Sequence, residues 1–148
     1  MPDELLHLKQ DQMLKIEGKT YAVQGMIKFM EGSSYWLEYI LKPEKADDLY
    51  YLDIEPIGKA ALHQRVSEQL VPDLSLKYGR KWYELFQKGK AKVDECYGYA
   101  DVYQWEMVSY YEYMNIKNKK ELFTIEKWND TIECSIGRYV PMAKIKIK

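Results

Sequence analysis

Tyr35-Trp36-Leu37-Glu38-Tyr39, followed by Tyr51-Leu52-Asp53-Ile54-Glu55, decides how the rest of the chain reads, because the pattern occurs a second time. Its echo is Tyr110-Tyr111-Glu112-Tyr113, followed by Phe123-Thr124-Ile125-Glu126. In each copy an aromatic run ends in Glu-Tyr, a polar gap follows, and a second run ends in Ile-Glu. Side chains of an extended strand alternate between two faces. Tyr35, Leu37, Tyr39 and Leu41 therefore share one face, and Trp36, Glu38 and Ile40 the other. Both faces are largely apolar, so the strand is expected to be central and covered on both sides. A glutamate in that setting is costly to bury unless a cation or a backbone donor meets it.

Outward from this cassette the chain reads as short strands and turns. Met13 to Ile16 and Thr20 to Phe29 flank Gly18 as a hairpin, with Gly25 as a bulge. A second hairpin, Leu74 to Tyr78 and Lys81 to Phe86 around Gly79-Arg80, matches the first. Leu14-Lys15-Ile16-Glu17-Gly18-Lys19-Thr20-Tyr21 and Leu76-Lys77-Tyr78-Gly79-Arg80-Lys81-Trp82-Tyr83 share leucine, lysine, glycine, a basic residue and tyrosine in order. Gln87-Lys88-Gly89-Lys90 reads as a turn, Lys92 to Tyr97 as a strand, and Tyr103 to Asn115 as one long aromatic strand. Residues 59–70 read as a strand or a helix, closed by Pro72. Ile132 to Val140 is a strand, and Ala143 to Lys148 alternates with one charged face, as an edge strand does. Residues 2–10, with Pro2 near the start, suggest a turn or two of helix or a loose arm that docks on the sheet.

About ten short strands at close spacing predict an all-β, mainly antiparallel sandwich or barrel. No linker splits the 148 residues, so a single domain is expected over 1–148. The repeats predict duplicated meander halves, about 11–70 and 74–140. The net charge of −1 argues against a protein built to neutralise nucleic acid or to coat an anionic membrane. No apolar run is long enough to insert into a bilayer. The acidic start lacks the features of a signal peptide, which makes a cytoplasmic location the expectation. Cys96 and Cys134 have no metal-ligand spacing and are expected to be free, partly buried thiols.

The motifs also resemble the bacterial domain-of-unknown-function family numbered 4178. Gly18-Lys19-Thr20-Tyr21-Ala22-Val23, Tyr35-Trp36-Leu37-Glu38-Tyr39, Tyr51-Leu52-Asp53-Ile54-Glu55, Tyr111-Glu112-Tyr113 and Phe123-Thr124-Ile125-Glu126-Lys127-Trp128 follow its order, and Ser135-Ile136-Gly137 resembles its closing serine-glycine. The likeness spans about 12–145. It departs from the family pattern at Leu52, where a tryptophan-leucine is expected, and at Lys127, where arginine is expected. The resemblance implies a bacterial cytoplasmic protein with no assigned enzymatic activity, an accessory to membrane-stress systems by association alone. It carries no catalytic residue onto this chain.

Chemistry is sparse by comparison. Glu38, Glu55, Glu112 and Glu126 hold matching places in the two halves and could converge, to bind a cation, to act as an acid/base pair, or to fix strand register. Lys28, Arg65, Lys127 and Arg138 are the candidate basic neighbours. His7 and His63 stand alone, so no metal or other cofactor is expected. Serines 33, 34, 109 and 135 lack a nucleophile elbow, and no phosphate-binding glycine loop occurs. The aromatics offer more. Trp105, Tyr111 and Trp128 are candidate partner-binding residues; Trp105 and Tyr111 share a segment with Tyr97, Tyr99, Tyr103, Tyr110 and Tyr113, and Trp82 and Trp128 are expected near it. The expectation is a non-enzymatic binding or scaffold module working through a protein partner. The alternative is a small-ligand barrel with an aromatic pocket closed by Glu38 or Glu112.

Overall fold

The computed structural model describes residues 3–148. One antiparallel sheet contains β1 (Met13–Ile16), β2 (Lys19–Glu31), β3 (Ser34–Pro43), β4 (Tyr50–Glu55), β5 (Lys59–Val66), β6 (Ser75–Tyr78), β7 (Lys81–Gly98), β8 (Met107–Asn115), β9 (Glu121–Trp128), β10 (Thr131–Val140) and β11 (Ile145–Ile147). The order is β11-β1-β2-β3-β4-β5-β10-β9-β8-β7-β6, and an additional β2–β7 pairing closes eight of the strands into a barrel. Closure removes the open edges of those eight. β1 and β11 extend the sheet beyond β2, and β6 extends it beyond β7.

Each half is a consecutive meander, β1 to β5 and β6 to β10. They meet at two antiparallel seams, β2–β7 and β5–β10. At the β2–β7 seam Gly25 lies opposite Gly98. A Cβ on Gly98 would come within 2.3 Å of the Gln24 carbonyl oxygen, and one on Gly25 within 2.8 Å of that of Tyr97. Only glycine lets the two backbones approach this closely, and Gly98 also has φ +66°. The bulge expected at Gly25 is present, as a register shift between Val23 and Gly25.

Two readings of the chain change, and one that was open is decided. Gln87 to Lys90 is no turn; it lies inside the 18-residue β7. Gly89 faces the Tyr110 ring and the Glu31 carboxylate, so there it relieves crowding between strands and does not reverse the chain. Tyr103 to Glu106 is not strand: β8 starts at Met107, after a connection in which Asp101 (φ 56°) and Trp105 (φ 75°) adopt left-handed backbone. Residues 59–66 are strand β5, and nothing helical follows it. The edge strand is β11, shortened because Met142–Lys144 form a 3-10 turn. Another 3-10 turn spans Asp3–Leu6; the Pro2 start predicted for it lies outside the described residues.

Alternation along the strands sorts side chains into three cores. Leu37, Tyr39 and Leu41 pack with Leu5, Leu8, Leu52 and Ile54. Tyr113, Phe123 and Ile125 pack with Leu76, Tyr83 and Cys134. The opposite faces of the same strands point inward, where Phe29, Ile40, Val93, Tyr110 and Trp128 pack with Trp36 inside the barrel. Phe29 stacks on Trp36 at 5.3 Å, and the Tyr110 ring meets Trp36 edge-on at 5.5 Å.

The Glu-Tyr motif now has a physical meaning. In each copy the glutamate faces the lumen and the adjoining tyrosine faces outward. The Tyr39 hydroxyl donates to the Leu5 carbonyl (2.8 Å) and accepts from the Leu8 amide (3.3 Å). The Tyr113 hydroxyl donates to the Asp73 carbonyl (2.8 Å) and accepts from the Asp73 amide (3.2 Å). Each tyrosine clamps the segment that leads into the first strand of its half. Cys96 is half-buried and Cys134 buried, and both are free.

Candidate functional site

The repeated strands place a charged cluster in the lumen beside the inner aromatic core. Glu38 on β3 lies directly opposite Asp53 on β4. Glu126 on β9 lies opposite Tyr110 on one side and Glu133 on the other. Directly opposed residues of antiparallel strands share a face, so two acid pairs point the same way, an arrangement that repels if all are ionised. Three cationic or basic groups answer them. Arg65 binds Glu133 at 2.7 Å, His63 Nε2 meets Asp53 at 3.0 Å, and Lys59 lies opposite Glu55.

Burial and like charge push the carboxyls of Glu38, Glu112 and Glu126 up. Glu38 rises well above the ordinary glutamate range through burial first, then through the charges of Glu126 and Asp53. Burial, then Asp53, brings Glu112 to about 7. Burial and Glu133 bring Glu126 to about 7, although the Trp128 indole N–H donates to it at 3.2 Å. For His63, burial favours the neutral ring, but the charge and hydrogen bond of Asp53 outweigh it and the net shift is upward. His63 also packs flat over Gly137, its partner across the β5–β10 seam, where any Cβ would collide with the ring. Its Nδ1 is buried without a hydrogen-bond partner.

Glu55, Glu112 and Glu126 line one residual space of about 80 Å³, together with Asp53 and His63. At ~30 Å³ per liquid water this holds roughly three waters and no drug-sized guest. Trp36 and Tyr110 line this space, and Trp36 packs on Phe29 beside it. Among the described residues, no three His, Cys, Asp or Glu side chains are arranged to hold a metal ion. What the cluster can do is take up and release protons near neutrality.

Of the basic neighbours, Arg65 alone joins the lumen carboxylates. Lys28 pairs with Asp94 (3.6 Å) and Arg138 with Glu17. Sequence reading named Arg65 as a basic neighbour but missed Asp53, His63 and Glu133 as members of the cluster. The available signal was alternation: Asp53 and Glu55 share a face of β4, and His63 and Arg65 share a face of β5.

The aromatic candidates separate. Trp128 is 7% exposed and belongs to the inner core, and Tyr111 is half-buried at the rim of an outer one. Trp105 is 58% exposed, between Tyr103 at 79% and Met107 at 53%, with Tyr99 at 72% in the same connection. The connection is nonetheless tied to the barrel. The Tyr99 amide donates to the Gln24 carbonyl (3.1 Å) and the Trp105 amide to the Val93 carbonyl (2.7 Å). The Lys92 ammonium lies 4.9 Å from the centre of the Trp105 ring.

The fold and site define a closed antiparallel barrel whose interior holds buried carboxyl groups beside an aromatic core. A family model described as a domain of unknown function (DUF4178) matches residues 9–142, and the chain belongs to that family. No curated protein and no solved structure matches it. Among the described residues, no helix is long and apolar enough to cross a membrane.

Proposed function

We propose that the protein is a non-enzymatic binding module that engages a protein partner through the connection between β7 and β8. One observation carries this reading: Tyr99, Tyr103 and Trp105 are turned outward from a connection whose backbone is hydrogen-bonded in place, and Met107, the first residue of β8, is exposed beside them. Large side chains presented on a fixed frame lose little entropy on binding, and tryptophan and tyrosine are the residues that most often anchor interfaces. The lumen does not compete for this role, since its space is small and lined by charge. A cytoplasmic setting in a bacterium fits the reading and belongs to the same proposal. We also infer that the two halves arose by duplication. This is supported by their matching strand order, by Glu38 and Glu112 on the third strand of each half, by Glu55 and Glu126 on the fourth, and by the paired clamps of Tyr39 and Tyr113.

The test is in-cell photocrosslinking from positions 103 and 105, with position 57, a distant exposed site, as control. The reading requires a defined adduct from 103 and 105 that is absent from 57. Equal adducts from all three positions, or none from 103 and 105, would reject it.

A further inference from the structure

The matched hairpins have a second consequence, at a place the partner-binding reading does not use. A groove of about 750 Å³ runs over the β5–β10 seam on the outside of the barrel. The ends of the β1–β2 and β6–β7 hairpins form its walls, and Leu62 and Ile136 lie on its floor. Leu14 pairs with Tyr21 in one hairpin and Leu76 with Tyr83 in the other, so both hairpins bring a tyrosine to the groove in the same register. Tyr50 and Tyr78 add two more rings.

The charges of the groove are arranged just as evenly. Glu17 of the first hairpin pairs with Arg138 on β10, and Lys81 of the second pairs with Glu121 on β9 at 2.7 Å. Each hairpin is therefore tethered by an ion pair. Among the described residues that line the groove, two cations form no ion pair, Lys19 from the first hairpin and Arg80 from the second. The volume lies within the ~300–1,000 Å³ of small-molecule sites. Tyrosine faces receive a planar ring, and an unpaired lysine and arginine receive an anion, the arginine in a two-pronged contact.

We propose that this groove binds a small aromatic anion, a planar ring bearing a phosphate or carboxylate group. Tyr21 and Tyr83 are buried and back the floor, so the ring lies against the half-buried Tyr50 and Tyr78, and the anion is taken by Lys19 and Arg80. Neither cation is buried, so replacing them leaves the fold intact.

The experiment titrates the isotope-labelled full chain with phenyl phosphate, benzoate and inorganic phosphate, following backbone amides by NMR. Phenyl phosphate, benzoate or both should shift amides at 16–21, 78–83 and 136–138, and the stronger of the two identifies the anionic group. A Lys19→Gln, Arg80→Gln double variant with an unchanged apo spectrum should weaken that binding at least about tenfold. Tyr50→Leu should weaken the aromatic ligand and leave inorganic phosphate unaffected. Several outcomes overturn the proposal: no shifts, shifts mapping elsewhere, or affinity indifferent to the double variant. Equal affinity for inorganic phosphate and phenyl phosphate would also overturn it, and would mean an adventitious ion only.

Discussion

Glu38, Glu112 and Glu126 hold their protons to higher pH in the folded chain than unfolded, where a glutamate titrates near ~4.3. The folded state therefore binds more protons from about pH 4.5 upward through 7, and their contribution to stability is lost as pH rises through that window. His63 acts in the same direction. Its raised value in the fold gives stability that is present below ~6.5 and lost above its folded pKa. Glu121, lowered by its bond to Lys81, has the opposite sign, but its stability is lost only as pH falls below the glutamate range. Melting should therefore occur about 3–6 °C higher at about pH 5.5 than at about pH 8. Glu112→Gln with Glu126→Gln, which mimics the protonated pair, should flatten that slope. Thermal unfolding across pH checks this, and a melting point that rises toward pH 8 in the wild type would contradict it. The glutamates were legible in the sequence as a repeated motif. Of their partners Arg65 was named and Asp53 and His63 were not, because alternation gives the face each shares and leaves open which strands meet.

At the scale of elements, the β2–β7 seam and the β7–β8 connection make opposite demands on the backbone. Gly98 is required twice, by its φ and by the Gln24 carbonyl beneath it. Gly98→Ala should cost at least about 2 kcal/mol in denaturant unfolding and speed amide exchange along β2 and β7. An alanine variant as stable as wild type would show that the seam is not closed this tightly. Trp105 presents the reverse case. Its left-handed backbone costs a non-glycine residue roughly 1 kcal/mol, a cost that glycine largely avoids. Trp105→Gly should leave stability within about 1 kcal/mol of wild type while abolishing the crosslink. Most elements were readable from alternation and turn residues. The connection at 99–106 was not, because Tyr103 and Trp105 have strand-forming side chains but make no ladder with a neighbour. The length of β7 was hidden because Gly89 and its polar flank imitate a turn.

For the whole molecule, two meanders joined at two seams give a lumen that belongs to neither half. The outer cores depend on the clamps of Tyr39 and Tyr113, whose hydroxyls serve the buried backbone of Leu5 and Leu8 and the part-buried backbone of Asp73. Tyr39→Phe should cost about 1–3 kcal/mol and make residues 3–10 the first site of limited proteolysis. Tyr113→Phe should do the same at residues 67–74, while leaving the N-terminal segment protected. If either variant opened both segments together, the halves would not behave as separately clamped units. With the lumen closed and its carboxyls paired or protonated, recognition falls to the outer surface. The most direct measurement is photocrosslinking from position 103 in three backgrounds: wild type, Trp105→Gly, and Glu112→Gln with Glu126→Gln. The account predicts a partner adduct in wild type and in the lumen variant, and its loss in Trp105→Gly. Loss in the lumen variant with retention in Trp105→Gly would place function inside the barrel and contradict it.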